Sequence, residues 1–387
     1  MEEVQKGQPI RRILTFLVTA VLVLGAIFVV INWQVLNLDS IKRYFAYRSL
    51  ERNETGQVES YAYTGGVSSQ FACLDEDLLI CSSSGIRLYS PSGTAYIEQA
   101  IHMEHPIISV AGSTGLVYDA GGTQLLVFQN REQVFSYTSK ADNAILSANI
   151  NEQGEIVIVT KASGLKGAVT VYNASYQPVM SVNLSSRFIY DAVLSPDGDT
   201  LALATSGQSA GVYDSIINFY SVSHPSEENK ADAVCTLGSE TILKLDWSSQ
   251  NLRVLTEKEL CFISSKGKIT DAYSYGGLYL KGFSLGGDGF ASLLLGKYRA
   301  GSTAELVTVN RNAREIARRE ISRQVLSVSS MGRYLAVLTS DELTIYVQNL
   351  KPYHTLTGNL GAQKVLQRPD GSAMLISGET ARLYLPN

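Results

Sequence analysis

One short pattern constrains this chain more than any other. A four-residue run of apolar, β-forming character returns eight times: Ile86-Arg87-Leu88-Tyr89, Leu125-Leu126-Val127-Phe128, Val169-Thr170-Val171-Tyr172, Ile217-Asn218-Phe219-Tyr220, then residues 260–263, 306–309, 343–346 and 381–384. The intervals are roughly 37–48 residues, room for four short strands and their turns. Two apolar strands precede each run and a more polar strand follows it. First strands begin near Phe71, Ile107, Leu146, Tyr190, Leu243, Leu280, Leu326 and Val365. A single four-stranded unit cannot bury both of its faces, but neighbouring copies bury them against each other. The spacing therefore predicts an all-β chain, an eight-bladed β-propeller of four-stranded blades over residues 57–387.

The count also closes. The eighth unit ends at Tyr384-Leu385-Pro386-Asn387, one strand short, and residues 57–63 at the other end are one strand in surplus. That segment is expected to complete the last blade and leave no open sheet edge. Two first strands run into Pro-Asp-Gly turns, Ser195-Pro196-Asp197-Gly198 and Arg368-Pro369-Asp370-Gly371. Proline presets such a turn and glycine accepts the positive φ that ends it. The Ser-Pro-Asp-Gly turn and the four-strand unit resemble WD40-like propellers, although the Gly-His and Trp-Asp dipeptides of those repeats are absent. The whole layout is similar to a bacterial membrane-anchored β-propeller family known as a domain of unknown function. That resemblance implies no activity.

Ahead of the repeats lies an apolar run opened by Ile13 and closed by Ile31, without charge or proline. At 1.5 Å per residue a helix of this length reaches about 28 Å, close to the hydrocarbon thickness of a bilayer. A cleaved signal has a shorter apolar core and a small-residue cleavage site. Residues 13–33 are therefore expected to be a transmembrane anchor in the lipid bilayer, with Trp33 at the interface. Residues 1–12 form a short basic head and are expected to be cytoplasmic, with the propeller outside the plasma membrane. Residues 34–56 are expected to hold a basic amphipathic helix of three to four turns and a linker, with Ile41, Tyr44, Phe45 and Arg48 at helical spacing.

Strand order assigns loops to faces. Loops from second to third strands, and from one blade to the next, share one face, here called the top. The other two loop classes share the bottom, where the chain joins the ring. The anchor is thus expected to hold the bottom toward the membrane. Three second-to-third loops are long, at residues 162–167, 206–214 and 298–303. They place Lys166, Tyr213, Tyr298 and Arg299 on the top face as candidate partner contacts, because insertions in repeat folds gather on the binding face. First strands line the channel, and Lys244, Asp246 and Lys281 are its expected polar residues, with Lys364 opening the eighth strand.

Composition narrows the function classes. With a net charge of −4, nothing points to nucleic acid. The four cysteines, Cys73, Cys81, Cys235 and Cys261, form no CxxC pair and are expected to be small buried apolar residues. His102-Met103-Glu104-His105 has metal-ligand chemistry but sits in a turn before Pro106 with no helix to align it. Gly207-Gln208-Ser209-Ala210-Gly211 spells a serine-hydrolase elbow, yet no helix follows it and a flexible loop is expected. Asp75-Glu76-Asp77 is expected to be a solvated acidic turn. No cofactor motif is present. These observations favour a non-enzymatic interaction or ligand-sensing module at the cell envelope. The alternative is an extracytoplasmic hydrolase or lyase with its site at the top of the channel.

Overall fold

The computed structural model describes residues 8–31, 38–65, 69–224, 229–247 and 250–386, with side chains in the first stretch described for 14–25. The chain divides into two units, Met1–Leu50 and Glu51–Asn387.

The first unit holds two helices, α1 (Gln8–Ile31) and α2 (Leu38–Tyr47). Among the described residues no helix is long and apolar enough to cross a membrane. Trp33 lies outside the described residues, and so do the side chains of Ile13 and Ile31. Helix α2 covers ten residues, about three turns, and stops at Tyr47, where Leu50 N–H donates to the Tyr47 carbonyl. Its expected apolar set, Ile41, Tyr44 and Phe45, is exposed, while Arg43 and Tyr47 are buried.

The second unit is eight four-stranded antiparallel sheets, seven of them built from consecutive strands. The inner strands are Gln70–Leu74, Pro106–Ala111, Ile145–Ile150, Phe188–Leu194, Ile242–Asp246, Tyr279–Gly287, Val325–Met331 and Lys364–Gln367, in blades 1 to 8. Burial follows from position in the blade. Second strands such as Asp77–Ser82 and Tyr334–Thr339 are buried along their whole length. Fourth strands such as Ala95–Ala100 alternate, because one face looks outward to solvent. The core is a set of blade-to-blade sandwiches. Phe219 of blade 4, for instance, meets Trp247 of blade 5 edge to face with centroids 6.0 Å apart.

The eighth sheet is completed from the N-terminal side, as expected. Its regular outer strand is only Tyr61–Ala62, paired with Ala381 and Thr380. The contact nevertheless runs over 57–63, through a bridge from Gln57 to Tyr384 and bonds from Val58 N–H to Leu383 O and Tyr63 N–H to Glu379 O. Gly56 is required at the start of this strap. It has φ +82° and a Cβ there would strike the Leu385 carbonyl. The strap also grips blade 1, with Tyr61 against Tyr89 at 5.6 Å and Tyr63 against Phe71 at 5.5 Å.

Between inner strands, short polar groups tie neighbouring blades. Ser109 donates to Asn149 between blades 2 and 3. Ser147 and Asn149 both donate to Asp191 between blades 3 and 4, at 2.6 and 2.8 Å. Ser330 donates to Ser284 between blades 6 and 7, at 2.9 Å. Blades 6 and 7 come closest. Gly287 and Gly332 form a parallel bridge, Asp288 N–H donates to Gly332 O, and a Cβ on Gly286 would run into the Ser330 carbonyl. At the 8–1 junction Lys364 donates to Ser69 O at 3.0 Å and the buried Arg368 donates to Asp75 O at 2.7 Å. The Gly198 and Gly371 turns have φ of 77° and 85°, as their Pro-Asp-Gly spelling requires.

Gly286→Ala should destabilise the propeller by about 1–3 kcal/mol in urea unfolding, through overpacking at the 6–7 junction. Gly282→Ala, in the same strand with its nearest neighbour atom 3.8 Å from the new Cβ, should stay within about 0.5 kcal/mol of the parent.

Candidate functional site

The inner strands enclose a central cavity of about 890 Å³. Its polar lining differs from expectation. Lys244 lines it and is exposed. Asp246 also lines it, but its Oδ2 accepts from Arg253 Nε at 2.8 Å. Lys281 does not line the channel; its Nζ donates to the Gly301 carbonyl in a top loop. The cause is a β-bulge. The pairing register shifts between Leu280 and Gly282, so Lys281 is an extra residue outside the inward–outward alternation. Lys364 is likewise taken up at the 8–1 junction, 4.9 Å from the Phe71 ring, where burial lowers its amine pKa.

Like Glu152, Asp288 and Arg311, Arg253 is a lining residue that sequence reasoning missed. It is buried at 5% exposure, pairs with Asp246, and donates to Leu285 O of blade 6 at 2.7 Å. The polar character of this strand pair is therefore a tie between blades 5 and 6. An arginine inside an otherwise apolar second strand, seven residues after an aspartate, was the available signal.

The bulge at Lys281 is one of five. Blades 3 to 7 each carry a register shift at the same place, near the top of the inner strand, with Leu146, Tyr190, Leu243, Lys281 and Leu326 as extra residues. The corresponding pairs of blades 1, 2 and 8 run without one. Bulges re-aim side chains at sheet ends, and they are common beside functional sites. Here they accompany an exposed apolar arc around the top mouth: Phe188 55%, Leu243 48%, Tyr279 43% and Leu326 40% exposed.

The candidate loop residues stand beside this arc. Lys166 Nζ lies 4.4 Å from the Phe188 ring centroid, and Arg299 Cζ lies 5.3 Å from that of Tyr279. Tyr298 is 66% exposed, with Lys297 above it at 5.7 Å. Tyr213 is 41% exposed and shares a 3.0 Å hydrogen bond with Ser215. It stands on an extended hairpin, Thr200–Ser209 with Val212–Ser221, where a flexible loop was expected. Only Ala210 and Gly211 form its turn, both at positive φ (51° and 80°). Ser209 is therefore a strand residue before a hairpin turn, without the strand-to-helix geometry that activates a serine.

Two acidic and sulfur features also resolve. Asp77 is not solvated. It is buried and takes a two-point contact from Arg131, at 2.7 and 3.1 Å, across the blade 1–2 boundary. Of the four free cysteines, three are buried, and Cys73 is half-buried on the channel wall. Burial pushes the Cys81 thiol up to about 12. His105 N–H donates to Asp119 Oδ1 at 2.7 Å, so the histidine turn is organised through its backbone. Among the described residues, no group of three metal-ligating side chains converges.

Arg253→Met should cost about 1–3 kcal/mol in chemical denaturation, since it removes the buried bond to Leu285 O and the guanidinium beside Asp246. Lys244→Met, on the open channel wall, should change stability by no more than about 0.5 kcal/mol.

Solved propellers share the fold. The C-terminal WD40 domain of Sif2 superposes with a TM-score of 0.59 at 14% identity, covering 86% of this chain and 99% of that one. A eukaryotic initiation factor structure gives 0.51 at 12% identity, covering 82% and 83%. No curated protein matches the chain. Residues 46–362 match the profile of DUF5711, a family of unknown function, and the chain belongs to that family.

Proposed function

We propose that this protein is a membrane-tethered β-propeller that works as a non-enzymatic protein-interaction module at the cell envelope, with its N-terminus cytoplasmic and its propeller outside. The carrying observation is the asymmetric top face. Bulged inner strands, exposed rings and all three extended loops coincide on blades 3 to 7. The chain joins the ring at the bottom, beside Tyr384 and Leu385, so these features stand on the face away from the attachment point.

The tether rests on α1. Its described stretch, 14–25, carries no charge and is apolar around the helix, with Phe16 at 74% and Leu22 at 67% exposed. A helix apolar on all sides requires an apolar surrounding, and a bilayer supplies one. The exposed Leu38, Ile41, Tyr44 and Phe45 of α2, next to Lys42 and Arg48, suit the lipid–water interface.

Three measurements test the reading. The full chain should stay in the membrane pellet after alkaline carbonate extraction, and externally added protease should reach the propeller in intact cells. Release by carbonate, or full protection from protease, would overturn the tether. Replacing residues 162–167, 207–213 and 298–303 by two-residue turns should abolish partner capture in cross-linking pull-downs while leaving the melting temperature within a few degrees. Retention of every partner by a folded variant would remove the interaction face.

A further inference from the structure

The top rim carries more than exposed apolar surface. Around blades 3 to 6 its loops hold cations that have no ion pair among the described residues: Lys161, Lys166, Lys297 and Arg299. Carboxylates on the same face are mostly engaged. Asp214 meets Arg187 at 2.9 Å, and Glu240 accepts from Thr256 at 2.6 Å with Lys258 nearby at 3.9 Å. Glu257 and Asp142 are the exposed exceptions. Local charge is therefore positive on a molecule whose net charge is −4.

Position matters as much as sign. Phe188 and Tyr279 open the inner strands of blades 4 and 6, with the exposed Leu243 of blade 5 between them. Lys166 and Arg299 each stand over one of these rings. Ring contact holds a long cationic side chain in place without neutralising it, which lowers the ordering cost of a later ion pair. The rim thus alternates fixed cations with apolar surface across three blades.

The blade 4 hairpin adds a backbone component. Its ladder with the inner strand ends at Ser206 opposite Phe188, and on the outer side backbone bonding continues to Ser215, whose N–H donates to Gly238 O and whose carbonyl accepts from Leu237 N–H. Residues 207–209 and 212–214 run on past these contacts as a two-stranded ribbon, with the Asp214 carbonyl taken by Arg187 and the edge beyond it open. An open strand edge recognises an extended main chain.

We propose that the top rim of blades 3 to 6 binds an extended acidic peptide segment of a partner protein. Its carboxylates lie against Lys166, Lys297 and Arg299, and its apolar side chains lie against Phe188, Leu243 and Tyr279. This rests on the reading of the top face as the interaction face and supplies the chemistry of what binds there. The electrostatic part makes binding weaken as salt rises, because exposed charges are screened beyond about 10 Å at 0.1 M ionic strength.

The test uses the detergent-solubilised full chain and two fluorescent random copolymers, poly(Glu,Tyr) and poly(Lys,Tyr), read by anisotropy. The parent should bind the acidic copolymer and not the basic one, more weakly at 0.5 M salt than at 0.05 M. The K166E/K297E/R299E variant should lose about tenfold or more in affinity with an unchanged melting temperature. The F188A/Y279A variant should also bind more weakly. Equal binding of both copolymers, no binding of the acidic one, or undiminished binding by the charge-reversed variant would each overturn the proposal. Partner capture separates the two readings. If shortened loops abolish capture and charge reversal does not, the interaction face stands and the acidic peptide falls. If neither change affects capture, both fall.

Discussion

Everything in the propeller depends on one seam. Eight sheets around an axis share load evenly only if the last is fastened to the first, and here that fastening comes from a segment that precedes the whole ring. Tyr61–Ala62 supplies the missing outer strand, Tyr63 donates to Ser377 O at 2.7 Å, and Lys364 and Arg368 tie the inner strands of blades 8 and 1. Without this seam, blade 8 would present an open three-stranded edge and blade 1 an uncovered face. The regular pairing is short, two residues, so side chains carry much of the closure: two tyrosine ring contacts on blade 1 and a buried arginine at the bottom.

Within the closed ring, symmetry is broken in one sector. All blades share the same strand order, and most share a bulge between third and fourth strands, as at Tyr89 and Tyr346. The inner-strand bulges, in contrast, belong to blades 3 to 7 alone. A bulge interrupts the ladder and re-aims side chains, so five in succession mark a stretch where side-chain direction near the mouth departs from regular pairing. The same sector holds the extended hairpin and the two long loops. Blades 1, 2 and 8 carry instead the seam and the Asp77–Arg131 pair.

Much of this was legible in the sequence, for a physical reason. Third strands are buried between blades in every copy, so their β-forming runs recur at a fixed place, and all eight fall within strands. The deficit of a strand at one end and its surplus at the other were equally plain. What was not legible depended on register or on distant partners. Lys281 reads as channel-facing by alternation, and one inserted residue turns it away. Asp77 looks solvated in an acidic turn until Arg131, 54 positions later, is brought beside it. Residues 207–209 have loop composition, but strand pairing with 212–214 overrides it. The expected helix is present at Leu38–Tyr47, but its apolar set is exposed and Arg43 is buried, which composition alone cannot foresee.

The seam also sets the order in which the molecule can be made. Tyr63 and Ser377 are 314 positions apart, so their contact cannot exist until almost the whole chain has been synthesised. Seven blades can collapse on neighbours as they emerge, since their pairing is local. The eighth must wait for a strap that was made first and has to be kept unpaired in the meantime. Closure is therefore the contact that spans the most chain, and a force pulling on the chain ahead of residue 57 acts on that same strap. A partner that caught the half-made ring would find its opening in one place, between blade 8 and blade 1.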